Sequence, residues 1–132
     1  MKSNPLIFVV DDDRTFTRSV EAYLKINNYK NIQCYYTGED CLKNFHLNPD
    51  IIILNYNLAG SNSNSLDGLQ ILGKINNMFQ NPTVIMVSGE MHLYAEKIVE
   101  AKFEKGMYRY IMKGDDTLKE IINTINEIVG NA

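Results

Sequence analysis

Asp50-Ile51-Ile52-Ile53-Leu54-Asn55-Tyr56-Asn57 is an apolar run that stops abruptly in polar side chains and then opens into a Gly/Ser/Asn-rich segment, residues 59–65. A short unbroken apolar run bounded by turn signals fits a strand buried on both faces, as in a parallel sheet, and periodicity alone also admits a buried helix segment. We read it as a central strand. In open parallel sheets ligands bind outside the carboxyl ends of the strands, which puts Asn55, Tyr56 and Asn57 where chemistry would take place.

Outward from that strand the chain repeats one theme. Upstream, Pro5 to Val10 is a second apolar run, closed by Asp11-Asp12-Asp13. From Thr15, the residues Phe16, Val20, Tyr23, Leu24 and Ile26 recur at helical spacing, and Asn27-Asn28 ends that helix. Ile32 to Tyr36 reads as a strand. A short helix from Thr37 through Leu42 and Phe45 then stops before Asn48-Pro49, because the residue before proline is disfavoured in helical geometry. Downstream, Leu66, Leu69, Ile71, Leu72 and Ile75 mark a helix, Pro82 to Val87 a strand, and 91–103 a further helix. Tyr108 to Met112 reads as a fifth strand, and a last helix from Asp116 to Val129 carries Leu118, Ile121, Ile122, Ile125 and Ile128 at i, i+3, i+4 spacing. Such alternation predicts an α/β fold: a parallel sheet, right-handed crossovers and helices on both faces.

At 132 residues the chain is expected to form a single domain with no effector domain. Its 45% apolar and 22% charged residues suit a globular protein, and a net charge of -3 with 13 Lys and Arg leaves no basic patch for nucleic acid. No stretch is long enough to span a bilayer, and the apolar run near the N-terminus is too short for a signal peptide, so a cytoplasmic location without membrane contact is expected. Cys34, Cys41, His46 and His92 have no metal-ligand spacing, and the cysteines read as reduced thiols in or near the core.

The predicted strand ends bring polar groups together: Asp11 and Asp12 after the first strand, Asn55 and Asn57 after the third, Ser88 after the fourth and Lys113 after the fifth. Two carboxylates facing amide oxygens form the oxygen-rich cluster that magnesium takes with waters retained. A hydroxyl and a lysine on the far side would suit a phosphoryl group. Asp13 reads as the cap of the following helix, with Asp11 and Asp12 as the ligands.

Across essentially its whole length the chain resembles the receiver domains of two-component response regulators. The matching residues are Val9-Val10-Asp11-Asp12-Asp13, Pro49 to Leu58, Asp67-Gly68, Val84 to Gly89 and Tyr110-Ile111-Met112-Lys113. The resemblance implies a flavodoxin-like (βα)5 doubly wound sheet of order 2-1-3-4-5. It implies a magnesium site of Asp11, Asp12, the position of Asn55 and the backbone carbonyl of Asn57. It also implies a switch in which Ser88 moves to the phosphoryl group, Tyr110 turns inward and Lys113 pairs with the phosphoryl. The implied partners are a sensor histidine kinase or phosphotransfer protein and a downstream protein, met through a surface of the 91–103 helix, the fifth strand and the last helix. No enzyme activity of its own is expected, and the chain would be a monomer or weak homodimer.

One departure bears on function. Position 55 is where the family carries the aspartate that attacks a phosphodonor, and here an asparagine offers a dipole but no ionisable oxygen. The chain is therefore expected not to be phosphorylated there and to hold magnesium more weakly, since a neutral amide relieves carboxylate repulsion in the empty site. The sequence leaves open whether Asn55 is natural or engineered. Segment 58–66 is longer than the family's usual turn, and Lys113 is followed by Gly114 where the family has proline, which is expected to lower the rigidity of that turn. An alternative reading is a natural pseudo-receiver, an interaction module independent of phosphorylation. A flavodoxin-like redox protein is disfavoured by three acidic residues where a flavin phosphate would bind, and a hydrolase by the lack of any assignable triad.

Overall fold

A computed structural model of the chain describes residues 3–56, 67–78, 81–89 and 107–130. Five strands, β1 (Ile7–Val10), β2 (Ile32–Tyr35), β3 (Ile51–Asn55), β4 (Thr83–Ser88) and β5 (Met107–Met112), form one parallel sheet in the order β2-β1-β3-β4-β5. The expected order and sense are both present. Every residue of β1 and β3 is buried, as is β4 beyond Thr83, which is why these strands read as unbroken apolar runs.

The period of two along the strands divides the core. Ile7, Val9, Ile51, Ile53, Ile85 and Val87 face one layer, formed by α1 (Arg14–Ile26) and the C-terminal helix Thr117–Gly130. Phe8, Val10, Ile52, Leu54, Val84 and Met86 face the other, with Cys41 of α2 (Gly38–Lys43) and Ile71, Leu72 and Ile75 of α3 (Gly68–Asn76). Each fully buried aliphatic side chain contributes roughly 2 kcal/mol of transfer free energy, so two continuous layers fix the register of the sheet.

Helix ends follow local chemistry. Asp13 caps α1, its carboxylate accepting from the backbone N–H of Thr15 and Phe16 at 3.0 and 3.2 Å, so the cap expected from sequence is present and α1 starts one residue earlier than its apolar pattern. Thr37 caps α2, which closes at Lys43. Phe45 lies instead in a separate 3₁₀ turn, Phe45–Leu47, that ends in Asn48 with φ 61 before Pro49. The helix expected from Leu66 begins at Gly68, because Asp67 and Gln70 form a reciprocal capping box at 2.8 and 2.9 Å. The expected 91–103 helix and the 58–66 loop lie outside the described residues.

Candidate functional site

Register alone brings the candidate side chains together. Val10 pairs with Leu54, so the next residues, Asp11 and Asn55, emerge side by side at the carboxyl edge. Asn55 pairs with Val87, and Ser88 pairs with Met112, which brings Lys113 to the same edge one residue past the partner of Ser88. Backbone bonds extend the row past the strands: Asp11 N–H donates to Tyr35 O at 3.1 Å, Tyr56 N–H to Val87 O at 2.9 Å and Lys113 N–H to Ser88 O at 2.8 Å. Asp11, Asn55 and Ser88 are buried, and the Lys113 side chain is 27% exposed.

The contacts among them are polar and charge-assisted. Asn55 Nδ2 donates to Asp11 Oδ1 at 3.2 Å and, at the limit of bonding distance, to Asp12 Oδ1 at 3.5 Å. Carboxylates only accept, so it is the nitrogen of the amide that must face them. Lys113 Nζ donates to Asp11 Oδ2 at 2.9 Å, and the Asp13 backbone N–H completes the set on Asp11 Oδ1 at 2.9 Å. Burial pushes the Asp11 carboxyl above the usual carboxylate range, against the pull of the Asp13 N–H and the Lys113 ammonium. Two carboxylates and one ammonium leave the cluster a single negative charge.

Asp11, Asp12, Asn55, Ser88 and Lys113 thus share one strand edge, as their spacing predicts. Asn57, whose carbonyl completes the expected ligand set, lies outside the described residues. Tyr110 of β5 packs against the layer containing Phe8 and Met86, half-buried, with its hydroxyl oxygen shielded from solvent. As arranged, the cluster places its own donors where a divalent cation would approach. Asn55 turns its amide nitrogen toward Asp11 and Asp12, and both oxygens of Asp11 accept hydrogen bonds from within the chain. Among the described residues no group of three or more His, Cys, Asp or Glu side chains could hold a metal.

Several supporting residues escaped the sequence. Thr17, fully buried, donates its hydroxyl to Asp13 O at 2.9 Å and lies 3.3 Å from Asp11 O, tying α1 to the acidic loop. Its place four residues after Asp13 is a helical back-bonding spacing, a weak cue. The Arg14 guanidinium stacks on Tyr36 at 4.0 Å and the Lys113 ammonium on Phe16 at 4.3 Å, so the first turn of α1 is tethered to its neighbours on both sides. Gly114 is where the sequence leads one to expect a loose turn. Instead, Gly114 N–H donates to Thr117 Oγ1 at 2.6 Å and Thr117 Oγ1 donates to Gly114 O at 2.8 Å. A proline at 114 would lack that donor, so the turn is fastened by a bond that only a non-proline residue can make. Gly68 is required on steric grounds: a Cβ there would sit 2.4 Å from Asn55 O, where the Gly68 N–H meets Tyr56 O at 2.8 Å.

The family model for the response regulator receiver domain matches residues 7–126. The chain belongs to this family. Among solved structures, the receiver domain of NtrX from Brucella abortus is 25% identical, with a TM-score of 0.79 over 96% of this chain and 99% of that one. A CheY-like receiver domain protein from Methanospirillum hungatei JF-1 is 23% identical, with a TM-score of 0.80 over 98% and 96% of the two chains. A receiver domain from Francisella is 22% identical, with a TM-score of 0.80 over 97% and 98%. No curated protein sequence matches significantly. The flavodoxin-like fold of this receiver domain is therefore shared with CheY-like relatives. No helix among its described residues is long and apolar enough to cross a membrane.

Proposed function

We propose that this receiver domain is a phosphorylation-independent interaction module of two-component signalling, which binds protein partners without taking a phosphoryl group at position 55. The observation that carries the reading is the Asn55 amide donating to Asp11 and Asp12. Phosphoryl transfer to a receiver needs a carboxylate oxygen to attack phosphorus while the donor's leaving group departs. An amide oxygen is a weaker nucleophile, and its nitrogen here is bonded to the two acidic residues. Magnesium, which in the family neutralises charge at this edge, would find one negative charge fewer and a donor in its place.

On this reading the domain is not an enzyme, works in the cytoplasm as a monomer or weak homodimer, and meets a histidine kinase or phosphotransfer protein and a downstream protein. A second reading, a phosphoaccepting receiver disabled at one residue, draws on the retained Asp11, Asp12, Ser88 and Lys113. Intact mass after incubation with acetyl phosphate and magnesium separates the two. The native chain is expected to gain nothing, and a phosphoryl gain on it overturns the proposal. If Asn55→Asp gains one group, the remaining residues form a competent site and the second reading holds for them; if it does not, the edge has diverged beyond position 55.

A further inference from the structure

Lys113 is held at both ends by other parts of the chain. Its backbone is fixed by the bond to Ser88 O and by the Gly114 to Thr117 contact that follows. Its ammonium sits 2.9 Å from Asp11 Oδ2 and 4.3 Å from the centre of the Phe16 ring. Phe16 lies in the first turn of α1, which Asp13 caps, and packs half-buried against the layer of Ile7 and Val9. The ring therefore cannot leave the ammonium without giving up core contacts. The other Asp11 oxygen is taken by the Asp13 N–H and by Asn55. A cation approaching Asp11 meets a carboxylate that already accepts three hydrogen bonds, one of them from an ammonium.

We propose that Phe16 is a positioning residue that keeps the Lys113 ammonium on Asp11, so that the lysine is the resident cation of the site and a divalent ion reaches Asp11 only by displacing it. This deepens the reading of a phosphorylation-independent module and rests on it, because it explains how the acidic edge is balanced without metal. A cation over an aromatic face at a partly exposed site gains enough to change a competing equilibrium about fivefold.

The test is an Mn2+ titration followed by paramagnetic broadening of the Asp12 and Asp13 amide resonances, with the Lys113 ε-methylene shift recorded in the same samples. Phe16→Leu keeps apolar bulk and removes the π face. It is expected to bind Mn2+ about fivefold more tightly and to lose the upfield ring-current shift at Lys113, while Phe16→Tyr retains both native values. Unchanged Mn2+ affinity in Phe16→Leu overturns the inference even where the lysine shift moves, and so does a native chain without that upfield shift. Should Phe16→Leu fail to fold, Phe16→Met, which also keeps apolar bulk without a π face, carries the test: tighter Mn2+ binding is expected, and unchanged binding overturns the inference. A phosphoryl gain on the native chain defeats the proposed function; unchanged Mn2+ binding with no phosphoryl gain defeats only the role of Phe16.

Discussion

Replacing Asn55 by aspartate exchanges a donor shared by two carboxylates for a third negative charge. At the observed separations of 3.2 and 3.5 Å, two unit charges at an effective dielectric constant of about 20 repel by roughly 5 kcal/mol per pair. The loss is bounded, however, because a carboxyl of ordinary pKa near 4 takes up a proton at pH 7 for about 4 kcal/mol. With Lys113 offsetting part of the repulsion, Asn55→Asp is expected to destabilise the metal-free domain by about 2 to 4 kcal/mol at pH 7.

The sign with pH follows from the same repulsion. The new carboxyl would have a folded pKa raised above its unfolded value, so the folded state binds more protons. Stability then falls as pH rises between the two values, and the penalty fades below about pH 4. Magnesium at ten times its dissociation constant would restore about 1.4 kcal/mol to the variant and little to the native chain. Urea unfolding of both chains at pH 7, in EDTA and in magnesium chloride, and again in acid, reads all three effects. Equal midpoints in EDTA, or an equal gain from magnesium, would refute the electrostatic account of this edge.

Gly68→Ala places a methyl 2.4 Å from Asn55 O and 2.8 Å from Tyr56 Cα, both backbone atoms that cannot turn aside. A loss of about 3 kcal/mol in urea unfolding is expected, with shifted amide resonances at Asn55 and Tyr56. Thr117→Val removes the acceptor of the Gly114 N–H; a cost of about 1 to 3 kcal/mol and faster hydrogen exchange at the Gly114 amide are expected, whereas unchanged exchange would mean that the hydroxyl does not fasten the turn.

Burial made most of the fold readable in the sequence. Strands covered on both faces appear as Phe8-Val9-Val10, Ile51 to Leu54 and Val84 to Val87, and helices with one covered face keep a period near 3.6. The edge residues were legible for a related reason, since a polar group directly after a fully buried run has to emerge at a strand end. Contacts made between loops were not. Nothing local ties Phe16 to Lys113, 97 positions later, or Arg14 to Tyr36, because those meetings depend on how the sheet aligns separate loops. Gly114 misled for the opposite reason: its flexibility is a local property, and Thr117 cancels it through a side chain three residues on. The direction of the Asn55 amide was equally hidden, being set by which atoms of Asp11 and Asp12 face it.

The two core layers contain none of Asp11, Asp12, Asn55, Ser88 or Lys113. Asn55 contributes to the sheet through its backbone register with Val87, which a change of side chain leaves in place. The apolar layers that fix the fold and the polar edge that would carry chemistry are therefore built from different side chains, and solved structures near 25% identity share the fold. What an amide at position 55 cannot do is leave its neighbours as they were. Asp11 is buried, and a buried carboxylate without a partner is costly, so its compensation has to come from nearby donors. Here it comes from Lys113 and the Asp13 N–H, with the amide itself as third donor. A site stabilised by its own donors has less to gain from an external cation, which is the physical ground for expecting partner binding by this domain to be indifferent to magnesium.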